Sequence, residues 1–401
     1  DSDSQRRMVQ NARTLLKRVK ALSDADRNAL ADVTMNRCAL VRVVVNDKDQ
    51  GFKVFRVLNT RGKEPGAHDI IKTELFQRSK FTTEEASFYS ERWAEHEAAL
   101  GGSAFDDLLR QIRSIYDKSS KGELITGFLK NVIPKINARG FLDDVLPRYV
   151  AAYKIITTAN LDTGPHAKLI SDKLNQMRAL DQTSWRAPAL KFLVEHGVEH
   201  ESAPEFFAKL ERLSYIIMLV LTDRDQRTKR FNKVNENIGN SRTLYGRGSP
   251  FNITKDESRR AFDRMLGRFA TFGQRRSMAL RLNAALDGGF TIAPQSDATV
   301  EHVLPRNISE DSHWMITWPD PAKRREQCDT LGNFVLLTNK VNQKADRLDY
   351  RAKKEVYFNG GGGQDFALTR DLVDQEAWTS EVVRKRTERL AEILMMEWSL
   401  A

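Results

Sequence analysis

The chain has 401 residues, enough for two or three domains with sizeable cores, and its 40% apolar and 29% charged residues indicate a soluble, helix-rich globular protein. Lys and Arg number 64 against 54 Asp and Glu, a net charge of +10 that modestly favours polyanionic partners. The two cysteines lie far apart in sequence, which excludes a disulfide framework. The sequence has no run of 18 apolar residues, which excludes a membrane span, and no signal-peptide pattern, which excludes a secreted product. We therefore expect a cytoplasmic protein with no membrane partner.

The N-terminal part of the chain is predicted to mix short helices with one strand. Helical spacing of apolar residues predicts helices over 8–22 and 24–36, and β-branched residues predict a buried strand over 39–45. A short helix over 52–58 then ends at Gly62, which suits the left-handed position after a helix. Because the chain begins with Asp1 rather than Met, we expect the natural N-terminus to lie upstream.

One segment of this region carries a family resemblance. The sequence Phe55–Gly62, which ends in Leu-Asn-Thr-Arg-Gly, is followed by Asp69–Lys72 and by Leu75–Phe76. It resembles the later part of the ParB/sulfiredoxin-like nucleotidase domain found in GmrSD-type modification-dependent restriction enzymes. The resemblance covers about residues 35–80 and implies that residues 1–80 form an incomplete α/β nucleotidase or sensor segment. The alternative is a helix–turn–helix joint with Gly62 at the helix end.

The resemblance leaves a nucleotide partner unassigned. In that family an Asp-Gly-Gln-Gln-Arg motif precedes this segment and hydrolyses nucleotide, and Ser4–Arg7 does not match it. The motif therefore either lies outside this chain or has been lost, and any nucleotide would bind through a segment that is missing here. The sequence also leaves open whether the chain forms a homo-oligomer.

Residues 81–285 are predicted to form an array of about ten helices, which in the family would link sensor and nuclease. The predicted helices span 84–100, 105–117, 121–132, 141–159, 165–180, 186–196, 203–221, 226–238, 255–271 and 275–286. In the helix over 255–271, Arg260, Arg264 and Arg268 recur every four residues and are expected to share one face. That face is either a solvated surface or a stripe that contacts nucleic-acid phosphates.

The strongest chemical signal lies in the last part of the chain. His302 stands in a strand-like run, 299–304, which ends at Pro305 and is expected to pair with Phe290–Ile292. A structured run over 331–338 contains Asn333, and a short helix is predicted over 339–347. A neutral His removes a proton from water near pH 7, so His302 is the expected general base. Asn333 is expected to orient the imidazole or to lock the hairpin.

This strand–loop–strand–helix order is similar to the ββα-metal arrangement of His-Asn-His nucleases. Residues 300–358 also resemble the nuclease module that accompanies the nucleotidase domain above, through Glu-His-Val-Leu-Pro, a loop Trp, Leu-Gly-Asn-Phe-Val-Leu-Leu-Thr and Asn342. The expected fold is therefore mainly α with small α+β parts: a partial α/β segment, a helical array and a ββα-metal nuclease domain over 286–401.

The resemblance implies a metal site, and the positive charge around the helix predicts a nucleic-acid surface. Glu301 and Asn342 are the implied metal ligands, and a carboxylate with an amide oxygen suits one Mg²⁺ or Mn²⁺. Because adjacent strand residues point to opposite faces, Glu301 and His302 share a site only if the strand is bulged or twisted. The residues expected to contact the nucleic-acid backbone around the helix are Lys340, Lys344, Arg347, Arg351 and Lys353.

These residues together predict a metal-dependent DNA endonuclease that nicks one strand and restricts modified or foreign DNA in anti-phage defence. Two alternatives remain open. The chain could be a non-catalytic DNA-binding or sensor module with a decayed site, or a ribonuclease toxin with the same fold. Taken singly, His302, Asn333 and Asn342 would be ordinary structural residues.

Overall fold

The computed structural model describes residues 3–39, 44, 66–117, 122–289, 292, 296–359, 363 and 365–400. The predicted strand over 39–45 and the predicted pairing arm over 290–292 lie mostly outside these residues. The short helix over 52–58 and the Leu-Asn-Thr-Arg-Gly segment lie wholly outside them.

The described chain is mostly helical with one two-stranded sheet, which confirms the mainly α expectation. It divides into two compact units, Asp1–Ala151 and Ala152–Ala401. The domain boundaries predicted at residues 80 and 285 stay predictions. Among the described residues, none of the helices combines the length and the apolarity needed to cross a bilayer.

The predicted helices of the first unit form from the signals that the sequence carries. A capping box begins one of them, because Thr82 accepts a hydrogen bond from the Glu85 amide and the Glu85 carboxylate accepts one from the Thr82 amide. Before residue 146 the structure has α1 (Asp3–Lys20), α2 (Asp24–Asp32), α3 (Ala67–Ser79), α4 (Thr83–Leu100), α5 (Gly102–Tyr116), α6 (Leu124–Asn131), α7 (Ile133–Ile136) and α8 (Ala138–Gly140), with π-helical turns at Val33–Arg37 and Phe141–Val145.

From residue 146 the chain continues with the remaining helices and the sheet. The longest buried helix here is α12, in which thirteen of eighteen residues are buried, so it forms the centre of a helical core. The elements are α9 (Leu146–Thr158), α10 (Ala167–Arg178), α11 (Arg186–Glu195), α12 (Ala203–Val220), α13 (Arg224–Asn237), α14 (Ser241–Tyr245), α15 (Lys255–Leu266), α16 (Phe272–Leu286), β1 (Ala298–His302), α17 (Trp314–Thr317), α18 (Pro321–Gln327), a 3₁₀ turn (Leu331–Asn333), β2 (Phe334–Thr338), α19 (Asn339–Ala345), α20 (Tyr350–Asn359), α21 (Ala367–Arg370) and α22 (Ser380–Glu397).

The two strands pair antiparallel in an unbroken register that runs from Ala298 opposite Thr338 to His302 opposite Phe334. The five successive pairs contain no bulge, so side chains alternate strictly between the two faces. Val335 and Leu337 on one face join a core cluster with Val341 of α19. The side chains of His302 and Phe334 extend from the other face, and their rings meet edge to face at 5.2 Å.

The helix predicted over 255–271 is shorter in the structure, and this corrects the expected arginine face. α15 ends at Leu266, and the extended backbone of Gly267 breaks the helix. Arg264 then donates to the backbone carbonyl of Arg268 at 2.6 Å. Arg260 and Arg264 therefore share the helix, whereas Arg268 lies beyond its end.

Candidate functional site

The imidazole of His302 lies at the end of β1 and contacts the carboxylate of Asp329. The Nε2 atom is 3.1 Å from Asp329 Oδ1, and only 16% of the His302 side chain is exposed. Asp329 follows Cys328 in the segment between α18 and the 3₁₀ turn. The backbone of Asp329 is itself fixed, because its carbonyl accepts a hydrogen bond of 2.8 Å from the amide of Phe269.

Arginines surround the Asp329 carboxylate. Arg306 contacts Oδ1 through Nε and Nη2, Arg268 contacts Oδ2 at 3.1 Å, and Arg275 of α16 lies 3.7 Å from Oδ1. Burial raises the pKa of Asp329, but hydrogen bonds from His302, Arg306 and Arg268 outweigh burial and hold that pKa well below its usual range. Asp329 is therefore ionised near neutral pH.

These surroundings keep His302 neutral near pH 7. Burial lowers the pKa of His302, Asp329 raises it, and the positive charge of Arg306 lowers it again, with a net decrease. A carboxylate only accepts hydrogen bonds, so we assign the proton of the neutral ring to Nε2. The lone pair then lies on Nδ1, and this nitrogen is the one able to take a proton from water.

Asn333 is completely buried and locks the hairpin. Its Oδ1 accepts hydrogen bonds from the Leu304 amide at 2.7 Å and from Trp378 Nε1 at 3.0 Å. Its Nδ2 donates to the carbonyls of Leu304 at 3.0 Å and Cys328 at 2.8 Å. These four bonds use the full capacity of the side-chain amide. Of the two roles predicted for Asn333, the geometry favours the hairpin lock, while Asp329 makes the described contact with the His302 ring.

Glu301 lies on the opposite face of β1 from His302 and is paired with a buried lysine. Its Oε1 accepts a hydrogen bond from Lys353 Nζ and one of 3.2 Å from the Tyr357 hydroxyl, both on α20. Lys353 Nζ also donates to the carbonyl of His302 at 2.8 Å. Burial raises the pKa of Glu301 and lowers the pKa of Lys353, despite their mutual attraction.

Asn342 on α19 also lies on the Glu301 face of the sheet. Its Nδ2 donates to Thr299 Oγ1 at 2.9 Å and to the carbonyl of Val300 at 3.3 Å, so the helix is tied to β1. The structure thus places Glu301 and Asn342 against one face and His302 against the other. The bulge that would bring Glu301 and His302 together is absent from the described register.

Two donor sets beside the sheet are candidates for a divalent cation, and neither fits one as arranged. The Glu301 carboxylate of the first set is already neutralised by the Lys353 ammonium. In the second set, donor atoms of His302, Cys328 and Asp329 lie within 4.8 Å of one another. Burial raises the pKa of the Cys328 thiol to about 12, so it is not a thiolate near neutral pH, and arginines already occupy the Asp329 oxygens.

The residues expected to contact nucleic acid fall into two groups. Lys340, Lys344, Arg347 and Arg351 are exposed on or beside α19 and α20, as a backbone-contacting surface requires. Lys353 is the exception, because it is completely buried and forms an ion pair with Glu301. The prediction that Lys353 lies on the surface was therefore wrong.

The arginines around α15 are mostly held by protein contacts. Arg260 donates to the carbonyl of Val220 at 2.7 Å, and the Arg264 guanidinium stacks over Phe269 at 4.7 Å from the ring centroid. Arg268 contacts Asp329, as described above. Of the three, Arg268 is therefore the one joined directly to the His302 site.

Sequence reasoning missed Asp329 and Arg306. The only local signals were a carboxylate four residues before Asn333 and a cation immediately after Pro305. Neither spacing predicts a contact with His302, because 27 residues separate His302 from Asp329 and the loop between them sets their distance. The ion pair between Glu301 and Lys353 was missed for the same reason, since it joins residues 52 apart.

One comparison with known protein families covers the part of the chain that contains these residues. Residues 253–393 match the family described as GmrSD restriction endonucleases, C-terminal domain. The match does not reach the N-terminal segment, so the nucleotidase-like resemblance stays a prediction. Neither the curated proteins nor the solved structures contain a significant match. The family match implies a nuclease hydrolase with DNA as its substrate, and it suggests a divalent metal requirement and a restriction endonuclease role.

Proposed function

We propose that residues 253–393 act as a DNA endonuclease of the His-Asn-His type that nicks one strand at a time. We further propose that the chain restricts modified or foreign DNA in anti-phage defence. The observation that carries the proposal is the 3.1 Å contact between His302 Nε2 and Asp329, in which a neutral imidazole is oriented by a buried carboxylate. The same pairing of a base with an orienting group is used by hydrolases that activate a nucleophile.

The proposed reaction begins with proton transfer from water to Nδ1 of His302. The resulting hydroxide forms a new bond to phosphorus while the bond from phosphorus to the leaving sugar oxygen breaks, and that oxygen then takes up a proton from solvent water. Asp329 stays ionised and stabilises the imidazolium that forms on His302. Arg306 contacts Asp329 through Nε and Nη2, so the N–H donors of Nη1 are not used on Asp329. Arg306 therefore supplies positive charge beside the reacting group.

The family match suggests a divalent metal requirement, and we propose Mg²⁺ or Mn²⁺ because a carboxylate and an amide oxygen suit these cations. When bound, such a cation would stabilise the negative charge on the leaving oxygen. Glu301 and Asn342 are the ligands that the resemblance implies, but they lie on the sheet face opposite His302 and Lys353 neutralises the Glu301 carboxylate, so they do not fit a catalytic cation as arranged.

A cleavage assay on the intact chain tests the proposal. Supercoiled plasmid and a structured RNA are incubated separately with the protein in Mg²⁺, in Mn²⁺ and in EDTA. We expect relaxed circular plasmid in the presence of a divalent cation, and little cleavage of RNA. Preferential cleavage of RNA would support the ribonuclease alternative, and DNA binding without cleavage in any buffer would support the non-catalytic one.

The restriction role has a separate test. Plasmids of one sequence are prepared with and without base modification and are compared for their rate of nicking. We expect the modified plasmid to be nicked faster. Equal rates on both plasmids would remove modification dependence from the proposal and would leave the endonuclease activity intact.

A further inference from the structure

A cavity of about 490 Å³ opens beside the His302 site. One part of its wall is the segment Pro305–Ile308, which directly follows the β1 region, and another part is α18 with Arg324 and Arg325. Arg268 and the Cys328–Asp329 segment complete the lining. A water molecule occupies about 30 Å³ in the liquid, so the cavity is large enough for a ligand well above the size of one water.

The lining is strongly cationic. It contains Arg268, Arg306, Arg324 and Arg325, against the single carboxylate of Asp329. Arg268 and Arg306 are about half exposed, and Arg325 is exposed with no ion pair among the described residues. Guanidinium groups present several donors in a plane and therefore bind phosphate oxygens well. The charge balance of this cavity suits an anionic ligand.

Asp329 holds two of these arginines in place. Its Oδ1 is contacted by Arg306 and its Oδ2 by Arg268, so one carboxylate fixes both guanidinium groups at the cavity wall. Each arginine uses only part of its donors on Asp329. Side chains that are already oriented lose less conformational entropy when a ligand binds.

The same carboxylate joins the cavity to the proposed general base. Asp329 Oδ1 is the common partner of His302 Nε2 and Arg306 Nε, each at 3.1 Å. An anion bound by Arg306 therefore lies next to the group that orients His302. The four cavity arginines come from three separate chain segments, which suits a ligand with successive phosphates better than one small anion.

We propose that this cavity is a phosphodiester-binding subsite in which Arg268, Arg306, Arg324 and Arg325 hold the backbone of a DNA strand beside His302. The place of this strand relative to cleavage rests on the proposed endonuclease function. The binding of the strand is independent of the proposed function, because it depends only on the cavity and its charge. Arg306, Arg324 and Arg325 are thereby assigned a role in substrate positioning.

A binding experiment with a matched control tests the subsite. In a His302→Ala background, which prevents cleavage, the affinity for a short fluorescein-labelled DNA duplex is measured by anisotropy at several salt concentrations. Arg325→Ala removes an exposed cavity cation. Lys323→Ala removes an exposed cation of the same helix that does not line the cavity. Circular dichroism checks that both variants are folded.

We expect Arg325→Ala to weaken binding by about three- to tenfold and to reduce the slope of log affinity against log salt by about 1, as for the loss of one phosphate contact. Arg325→Glu should weaken binding further, and Lys323→Ala should change it less than about twofold. Equal losses from Arg325→Ala and Lys323→Ala, or no loss from Arg325→Glu, would overturn the subsite.

The outcome for the subsite is distinguishable from the outcome for the proposed function. Plasmid nicking by the chain with His302 intact reports on the endonuclease, whereas anisotropy in the His302→Ala background reports on the cavity. Nicking that persists while cavity variants bind normally would refute only the subsite. Cavity-dependent binding without any nicking would refute only the endonuclease.

Discussion

At the scale of single residues, the proposed cleavage requires a neutral imidazole at His302. The pKa of this ring lies below its ordinary value of about 6.5 because the ring is buried and faces Arg306 and Arg275. A protonated ring cannot accept a proton from water, so activity is lost as pH falls through this lowered pKa. Neutral pH is therefore well inside the active range.

We accordingly predict the acid limb of the cleavage profile. The rate on plasmid, measured from about pH 5 to pH 8 with metal concentration fixed, should rise to a plateau with a midpoint below about 6.5. Arg306→Gln removes one of the charges that lower the pKa, so its midpoint should move to higher pH. A midpoint above the ordinary histidine value in the unsubstituted chain would contradict the assignment of His302 as base.

Asn333 provides a prediction about stability at the same scale. Asn333→Ala leaves the buried Leu304 amide and Trp378 Nε1 without their acceptor, so we expect a loss of about 3 kcal/mol in the free energy of unfolding. Asn339→Ala, at an exposed position, should change this free energy by less than about 0.5 kcal/mol. Urea unfolding followed by tryptophan fluorescence measures both, and similar values for the two variants would rule out the hairpin-lock role.

At the scale of elements, the sequence predicts local structure better than contacts. The helices over 84–100, 186–196 and 203–221 appear within one residue of their predicted ends, because apolar spacing and caps are local signals. The strand at His302 and the helix after Thr338 were likewise predicted. The helix predicted over 255–271 begins where expected but ends at Leu266, because the extended backbone of Gly267 breaks it.

Side-chain partners could not be predicted, because they depend on how the elements pack. An alternating strand pattern indicates that Glu301 and His302 face opposite ways, and the structure has that alternation. The groups that contact each face come from distant parts of the chain, because Asp329 lies in a loop and Lys353 in α20. The local sequence of the strand therefore does not indicate them. The resemblance that made Glu301 and Asn342 metal ligands could not indicate that a lysine neutralises Glu301.

The pairing of β1 with α20 through Glu301 and Lys353 leads to a double-mutant prediction. Lys353→Met leaves the buried Glu301 carboxylate without its ion-pair partner, so we expect this substitution to lower the free energy of unfolding by about 3–5 kcal/mol. Adding Glu301→Gln should recover a large part of this loss, because the unpaired charge is removed. Lys344→Met serves as an exposed control.

Urea unfolding of the single and double variants measures this coupling. Additive losses from Lys353→Met and Glu301→Gln would show that the two groups are not coupled and would contradict the buried ion pair. A small loss from Lys353→Met alone would do the same. Either result would also reopen Glu301 as a carboxylate free to bind a cation.

At the scale of the whole molecule, each of the two compact units contains a largely buried histidine beside a carboxylate, but the pKa is lowered for His302 and raised for His68. The matched residues 253–393 lie in the second unit. In the first unit His68 is buried, with Nδ1 2.7 Å from Asp106 Oδ1 and Nε2 3.6 Å from Glu97 Oε1. Burial lowers the pKa of His68, but the hydrogen bond to Asp106 and the nearby carboxylates outweigh it, and the net pKa is raised.

The raised pKa of His68 predicts how the stability of the first unit depends on pH. A raised folded-state pKa contributes stability that is fully present below the unfolded value of about 6.5 and is lost as pH rises through the folded value. The difference in melting temperature between the unsubstituted chain and His68→Gln should therefore be larger at acidic pH than at alkaline pH. A difference that stays constant across this pH range would contradict the charged His68 cluster.

The central claim is that His302 is the general base of a DNA endonuclease, and one matched comparison tests it most directly. The unsubstituted chain, His302→Ala and His313→Ala are compared for nicking of supercoiled plasmid in Mg²⁺; His313 is an exposed histidine in the same matched segment. We predict that His302→Ala lowers the rate by about 10²- to 10⁴-fold and that His313→Ala leaves it nearly unchanged. Equal rates for all three proteins, each shown to be folded, would contradict the account.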